Sequence, residues 1–87
     1  MVVEIDLIHE TSDSFTMVPL DALVDVRSNR GVIYLLDPGA DVVEEKAVHI
    51  MAISGSKVAL VERLDPNRQV VTRGQQSLRD ATRVRVL

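Results

Sequence analysis

Turn-forming residues recur along the chain roughly every ten residues, and this spacing limits each regular element to a few residues. The clusters combine glycine, proline, asparagine, aspartate and serine, which favour turns for different reasons. Glycine tolerates positive φ, proline fixes φ, and the polar side chains form hydrogen bonds with the nearby backbone. They occupy residues 9–14, 28–31, 37–40, 54–57 and 65–68. Between them, no window of helical length keeps an unbroken apolar stripe with a period of about 3.6 residues. The chain is therefore expected to form short β-strands.

The apolar residues between the turns are of the kind that strands prefer. Fifteen of them are valine, whereas Phe15 and Tyr34 are the only aromatic residues. β-branched side chains fit a pleated surface and lose rotamer freedom in a helix. A chain of 87 residues leaves room for one domain. The sequence therefore predicts a single all-β domain over residues 1–87, a small antiparallel β-roll or barrel of about seven or eight short strands.

Three local features add detail to this prediction. Residues 32–36 are five consecutive apolar residues, which is typical of a central strand that is covered on both faces. Pro19 lacks a donor N–H and is expected to end a strand, and residues 20–23 then suit one helical turn. The long extended run 42–53 is interrupted by charged residues at 44–46, which predicts a bulge or bend at that point.

The charge of the chain is unevenly distributed. The net charge of -3 argues against a general nucleic-acid-binding protein, which needs a basic surface. Residues 1–62 carry four basic and eleven acidic groups, whereas residues 63–87 carry six arginines and two aspartates. Two interpretations remain open. The arginines pair with acids on neighbouring strands, or two oppositely charged surfaces dock one copy on another or on a partner.

Three of the six arginines are candidate partner contacts, namely Arg68, Arg73 and Arg79. They flank turns, which point outward from a β-domain, and the planar guanidinium can bind carboxylates bidentately. Arg83 and Arg85 alternate with valines and are assigned to a solvated strand face instead.

The sequence contains no recognisable pattern of catalytic or metal-binding residues. It has no cysteine, and its two histidines, His9 and His49, lie far apart without a second ligand at metal spacing. Glu44 and Glu45 are adjacent, so on a strand their side chains point to opposite faces. The four glycines are isolated and form no phosphate-binding loop. We therefore expect no enzymatic activity, no cofactor and no metal.

From residue 15 onward the order of motifs resembles the C-terminal part of the periplasmic adaptor proteins, the AcrA/HlyD-like membrane fusion proteins of tripartite efflux pumps. Five segments are similar: Pro-x-x-Ala-Leu within 17–23, the apolar strand at 31–37, and a basic residue that leads into a valine strand at 46–48. The other two are Val-Val-x-x-Gly at 70–74 and the segment 78–86. The last segment resembles Leu-x-Asp-Gly followed by Val-x-Val, with Ala81 where the family has glycine.

This resemblance implies a non-catalytic structural role. The chain would be the membrane-proximal domain of a longer adaptor, and residues 1–8 would be the last strand of a preceding β-barrel. Its partners would be the inner-membrane transporter and neighbouring adaptor protomers, and other parts of the full-length protein would reach an outer-membrane channel. The location would be the periplasm, attached to the inner membrane. The alternative hypothesis is a free-standing cytosolic β-barrel module that binds a small ligand or a regulatory partner.

Overall fold

Nine β-strands and one 3-10 turn make up the regular structure of the part of the chain that the structure describes. The structure is a computed structural model, and it describes residues 2–10, 15–37, 39, 41–65, 68–75 and 78–86. The strands are β1 (Val2–Leu7), β2 (His9–Glu10), β3 (Thr16–Pro19), β4 (Val24–Arg27), β5 (Arg30–Asp37), β6 (Val42–Ser54), β7 (Lys57–Leu60), β8 (Gln69–Arg73) and β9 (Arg85–Val86). The predicted all-β fold is confirmed.

The strands form one curled sheet that closes into a half-barrel. Their order is β2-β3-β7-β6-β5-β8-β1-β9. β4 is not part of this order and pairs with β5. All of these pairs are antiparallel except β1 with β9, which run parallel. The first strand therefore lies between two strands from the last third of the chain. No helix among the described residues is long and apolar enough to cross a membrane.

The run 32–36 lies within β5, the central strand, as the sequence predicts. Its buried residues alternate between two apolar clusters: Ile33 and Leu35 belong to the first, and Tyr34 and Leu36 to the second. The first cluster fills the space between β5 and the β3–β7 side of the sheet. The second lies on the opposite face of β5, beneath the segment that contains Leu78. An unbroken apolar run is needed here because both faces of the strand are covered.

The predicted bulge in the long extended run is wrong in its position. β6 keeps an uninterrupted register with β5 from residue 42 to 49, through the charged residues 44–46. The register shift occurs later, between Ile50 and Ala52, where β6 pairs with β7. The physical reason is that β6 leaves β5 at this point and continues beside β7. A β-bulge adds one residue and bends the strand, which the change of partner requires.

The turns near the start of the chain follow the prediction in part. β3 ends at Pro19, and Leu20–Ala22 forms a 3-10 turn closed by the Leu23 N–H donating to the Leu20 carbonyl at 3.2 Å. This confirms the predicted helical turn. The sequence predicts a turn over the polar segment 9–14, but His9–Glu10 forms β2 and pairs with β3. Residues 11–14 lie outside the described residues, as do parts of the predicted turns at 37–40 and 65–68.

Gly74 connects β8 to the C-terminal segment and passes very close to β1. Its φ is +91°, and a Cβ there would lie 2.7 Å from the Val2 carbonyl oxygen. Beyond it, Leu78 and Val84 are buried in the second apolar cluster. The segment from residue 78 therefore covers one face of the sheet and carries Arg79 on its exposed side.

Candidate functional site

Each of the three candidate arginines lines a hollow on the surface, and the three hollows are neighbours. The first, about 360 Å³, has Arg68 and Asp80 in its wall. The second, about 710 Å³, has Arg79, and it shares Asp80 with the first. The third, about 520 Å³, has Arg73, and it shares Gln75 with the second. We call these three arginines and the hollows between them the arginine surface. The fold thus places residues from separate turns along one continuous surface.

Arg68 is the most enclosed of the three. Its side chain is 28% exposed, and its Nη2 lies 3.5 Å from Oε1 of Glu44 on β6. Its Nε is buried and has no hydrogen-bond partner among the described residues. A buried donor without a partner costs free energy, on the order of 1–3 kcal/mol. Arg68 therefore forms part of the wall of the first hollow, and only part of its side chain reaches solvent.

Arg73 is the most exposed of the three. It lies at the end of β8, where Glu4 of β1 is its cross-strand partner. Its Nε is 2.9 Å from Glu4 Oε2, and the side chains are 77% and 44% exposed. An exposed pair of this kind contributes at most about 1 kcal/mol to stability. The carboxylate therefore orients the guanidinium without removing it from solvent.

Arg79 lies on a turn that is fixed at several points. Its backbone N–H donates to Oγ1 of Thr82 at 2.9 Å, and the Asp80 carboxylate accepts from the Glu45 N–H at 3.0 Å. The buried Tyr34 hydroxyl donates to the Leu78 carbonyl at 3.0 Å. Burial raises the pKa of Tyr34, and the charge of Glu45 raises it further, so the hydroxyl stays protonated as a donor. The turn thus presents the exposed Arg79 from a rigid base.

Sequence reasoning missed the residue that joins the second hollow to the third. Gln75 is buried, and its Nε2 donates to the Asp21 carbonyl at 2.6 Å and contacts the Val71 carbonyl at 3.4 Å. It thereby ties the 3-10 turn to β8. A buried amide needs such partners, but nothing in the local sequence distinguishes this glutamine from an exposed one.

The arginine surface carries both signs of charge. Asp25, Asp37, Glu45 and Asp80 line the same hollows as the arginines. The arginine surface is therefore of mixed charge and not a purely basic surface. Among the described residues, no group of three or more histidine, aspartate or glutamate side chains is placed to hold a metal ion.

His49 belongs to a different part of the surface and pairs with Glu62. Its Nδ1 is 2.6 Å from Glu62 Oε2, and its backbone N–H donates to Glu62 Oε1 at 2.8 Å. Burial raises the pKa of Glu62, but the hydrogen bonds from His49 outweigh this and leave the pKa below its usual value. The pair closes the end of the β6–β7 hairpin. Of the arginines assigned to a solvated face, Arg83 and Arg85 are both exposed, on either side of the buried Val84.

No protein-family model matches the chain, and no curated protein matches its sequence.

Proposed function

We propose that the chain is the membrane-proximal domain of a periplasmic adaptor protein from an efflux pump, and that it works by protein contact. One observation carries this proposal. Two of the positions at which the adaptor pattern has glycine, Gly74 and Ala81, have φ values of +91° and 64°. This left-handed region favours glycine. These two positions therefore adopt a backbone conformation that glycine favours, even where alanine replaces it, and this supports the proposal.

The remaining adaptor-like segments coincide with residues that build the fold. The proline of the first segment ends β3, and Ala22 in the following 3-10 turn is fully buried. The second segment contains the core of β5. Val70 and Val71 of the fourth segment are fully buried, one in each apolar cluster. These correspondences support the proposal because a resemblance limited to surface turns would be expected for many β-domains.

In this proposal the partners are an inner-membrane transporter and neighbouring adaptor protomers, with an outer-membrane channel reached by other parts of the adaptor. The location is the periplasm. The arginine surface is the candidate contact, since its mixed charges suit a folded protein. Arg73 and Arg79 are its most accessible cations.

The test is charge reversal in the adaptor as it occurs in cells. Reversal at Arg68, Arg73 and Arg79 should weaken cross-linking to the cognate transporter and lower drug resistance in cells that lack the native adaptor. Because Arg68 is partly buried beside Glu44, the double variant Arg73→Glu/Arg79→Glu separates contact from folding more cleanly. Arg83→Glu/Arg85→Glu is the matched control, with two exposed arginines reversed outside the arginine surface.

Normal cross-linking and resistance in the Arg73→Glu/Arg79→Glu variant would remove the arginine surface from the proposal. The gene neighbourhood tests the assignment separately. An adaptor is expected to be encoded with a signal peptide and a long helical hairpin upstream of this domain, and beside a transporter gene. A gene without these features would favour the free-standing cytosolic module.

A further inference from the structure

The last four residues of β6 form a free edge of the sheet. β6 pairs with β5 as far as His49 and then continues beside β7 alone. On the side away from β7, none of the described strands pairs with residues 51–54. All four residues are exposed, and the apolar Met51 and Ile53 are 47% and 58% exposed. We call residues 51–54 the open edge.

The backbone of Ile53 is placed to bond another strand. A two-residue turn, 55–56, joins β6 to β7, so Ser54 and Lys57 form the hydrogen-bonded pair that closes this hairpin. Hydrogen-bonded and non-hydrogen-bonded pairs alternate along an antiparallel ladder. The next pair, Ile53 with Val58, is therefore a non-hydrogen-bonded pair. The N–H and C=O of Ile53 consequently point away from β7.

Other free edges of the described sheet are blocked by charge. β4 contains Asp25 and Arg27, and β9 contains Arg85. In the middle of β6, the N–H of Glu45 already donates to the Asp80 carboxylate. Charged side chains on an exposed edge oppose pairing with another chain. The open edge, with the sequence Met-Ala-Ile-Ser, has no charged residue, so this protection against pairing is absent from it.

The open edge is complementary to the open edge of a second copy. A two-fold axis beside Ile53 makes the two edges antiparallel and sets this residue opposite the same residue of the other copy. The two isoleucines then exchange N–H···O=C hydrogen bonds, and their β-branched side chains pack side by side. Each edge is four residues, about 13 Å, long, so the two lengths match. The contact sets no charge of the open edge against itself.

We propose that the open edge pairs with the open edge of a second copy, so that the two sheets join through their β6 strands. The pairing stops at two copies, because the two-fold contact uses both open edges. Four residues on each side bury less area than a stable interface needs, so the dimer is weak and dissociates rapidly. The inference stands apart from the proposed function, since it uses neither the arginine surface nor the adaptor resemblance.

The test measures self-association of the full chain. Sedimentation analysis is run from tens of micromolar up to about one millimolar, the range in which a weak dimer forms. The average mass should rise toward that of two copies and not beyond it. Amide hydrogen exchange, followed by NMR, should slow at Ile53 as the concentration rises. It should not change at Ala52, whose N–H lies in a hydrogen-bonded pair with Ala59 of β7.

Substitutions at Ile53 make the test specific. Ile53→Lys sets two like charges opposite each other and should weaken association roughly tenfold. Val61→Lys is the matched control and should associate normally. Val61 is 57% exposed, like Ile53, but its N–H already donates to the His49 carbonyl. An equal mixture of Ile53→Lys and Ile53→Glu should associate again, because the two-fold register sets the two opposite charges side by side. Circular dichroism and thermal melting establish that each variant is folded.

Several results would overturn the inference. These are a monomer at every concentration, and a loss of association in Val61→Lys as great as in Ile53→Lys. A mass that rises beyond two copies would contradict the two-fold contact. A mixture of the lysine and glutamate variants that associates no better than either variant alone would contradict the register. Binding of a monomeric chain to phosphatidylcholine vesicles, lost in Ile53→Lys, would assign the open edge to a lipid surface instead.

Discussion

Replacing Gly74 by alanine should destabilise the domain, because the new side chain would displace β1 from the end of β8. The φ of +91° places alanine in the left-handed region, at a cost of about 1–2 kcal/mol. The new Cβ would also lie 2.7 Å from the Val2 carbonyl oxygen and 3.2 Å from Val3 Cγ1. Because that oxygen belongs to the backbone, β1 must move, and overpacking of this kind costs about 1–3 kcal/mol. Alanine also offsets about 0.4–1 kcal/mol of this loss of stability, because it lowers the conformational entropy of the unfolded chain.

The expected net loss for Gly74→Ala is about 1–4.5 kcal/mol, which lowers the melting temperature by roughly 5–35 °C for a domain of this size. Gly55→Ala is the matched control, because Gly55 has a φ of +60° but no atom within 4 Å of the point where a Cβ would lie. It should lose only about 1 kcal/mol, the conformational part. Urea denaturation followed by circular dichroism measures both losses. Equal losses in the two variants would refute the contact with β1.

Four further changes test other parts of the structure. Leu35→Ala should lose about 2–5 kcal/mol in thermal melting, because Leu35 is 3% exposed within the first apolar cluster; melting within a degree or two of the wild type would contradict its place in the core. Ala81→Gly should gain about 0.5–1 kcal/mol, since the φ of 64° strains alanine, and an unchanged urea midpoint would argue against that strain. The hydrogen bonds from His49 hold the pKa of Glu62 below its ordinary value, although burial opposes this. A carboxylate with a depressed pKa stabilises the fold above its unfolded pKa and loses this effect as the pH falls through the folded value. Glu62→Gln should therefore be less stable than the wild type at neutral pH and converge with it in acid, and a difference that persists in acid would contradict the pairing. Tyr34→Phe removes a buried hydrogen bond and should lower the free energy of unfolding by about 1 kcal/mol. A urea titration that shows no change would contradict this.

The parts of the fold that the sequence predicted are those set by neighbouring residues. The run 32–36 is buried on both faces because every residue in it is apolar, and Pro19 ends β3 because it has no N–H to donate. The position of the bulge was not predictable in the same way. It lies where β6 changes partner, between Ile50 and Ala52, and the identity of a strand's partners is a tertiary property. The parallel pairing of β1 with β9 depends in the same way on contacts between distant segments.

The candidate site was predictable as a set of residues but not as a surface. Arg68, Arg73 and Arg79 were found because each flanks a turn, and turns lie outside a β-domain. Their alignment along neighbouring hollows depends on how the C-terminal segment folds back over the sheet. That path is fixed by the Tyr34 hydroxyl and the Gln75 amide. Neither side chain carries a local sequence signal for this role, since both bonds join residues far apart in the chain.

The two interpretations of the C-terminal arginines turn out to be compatible. Arg68 and Arg73 do pair with acids on other strands, at 3.5 Å from Glu44 and 2.9 Å from Glu4. Both pairs are solvent-exposed in part, however, and pairs of this kind are worth at most about 1 kcal/mol. In the proposed function, a partner carboxylate would therefore replace Glu4 beside Arg73 at little cost. In the proposed function, the pair that balances charge within the domain also orients Arg73 for a partner.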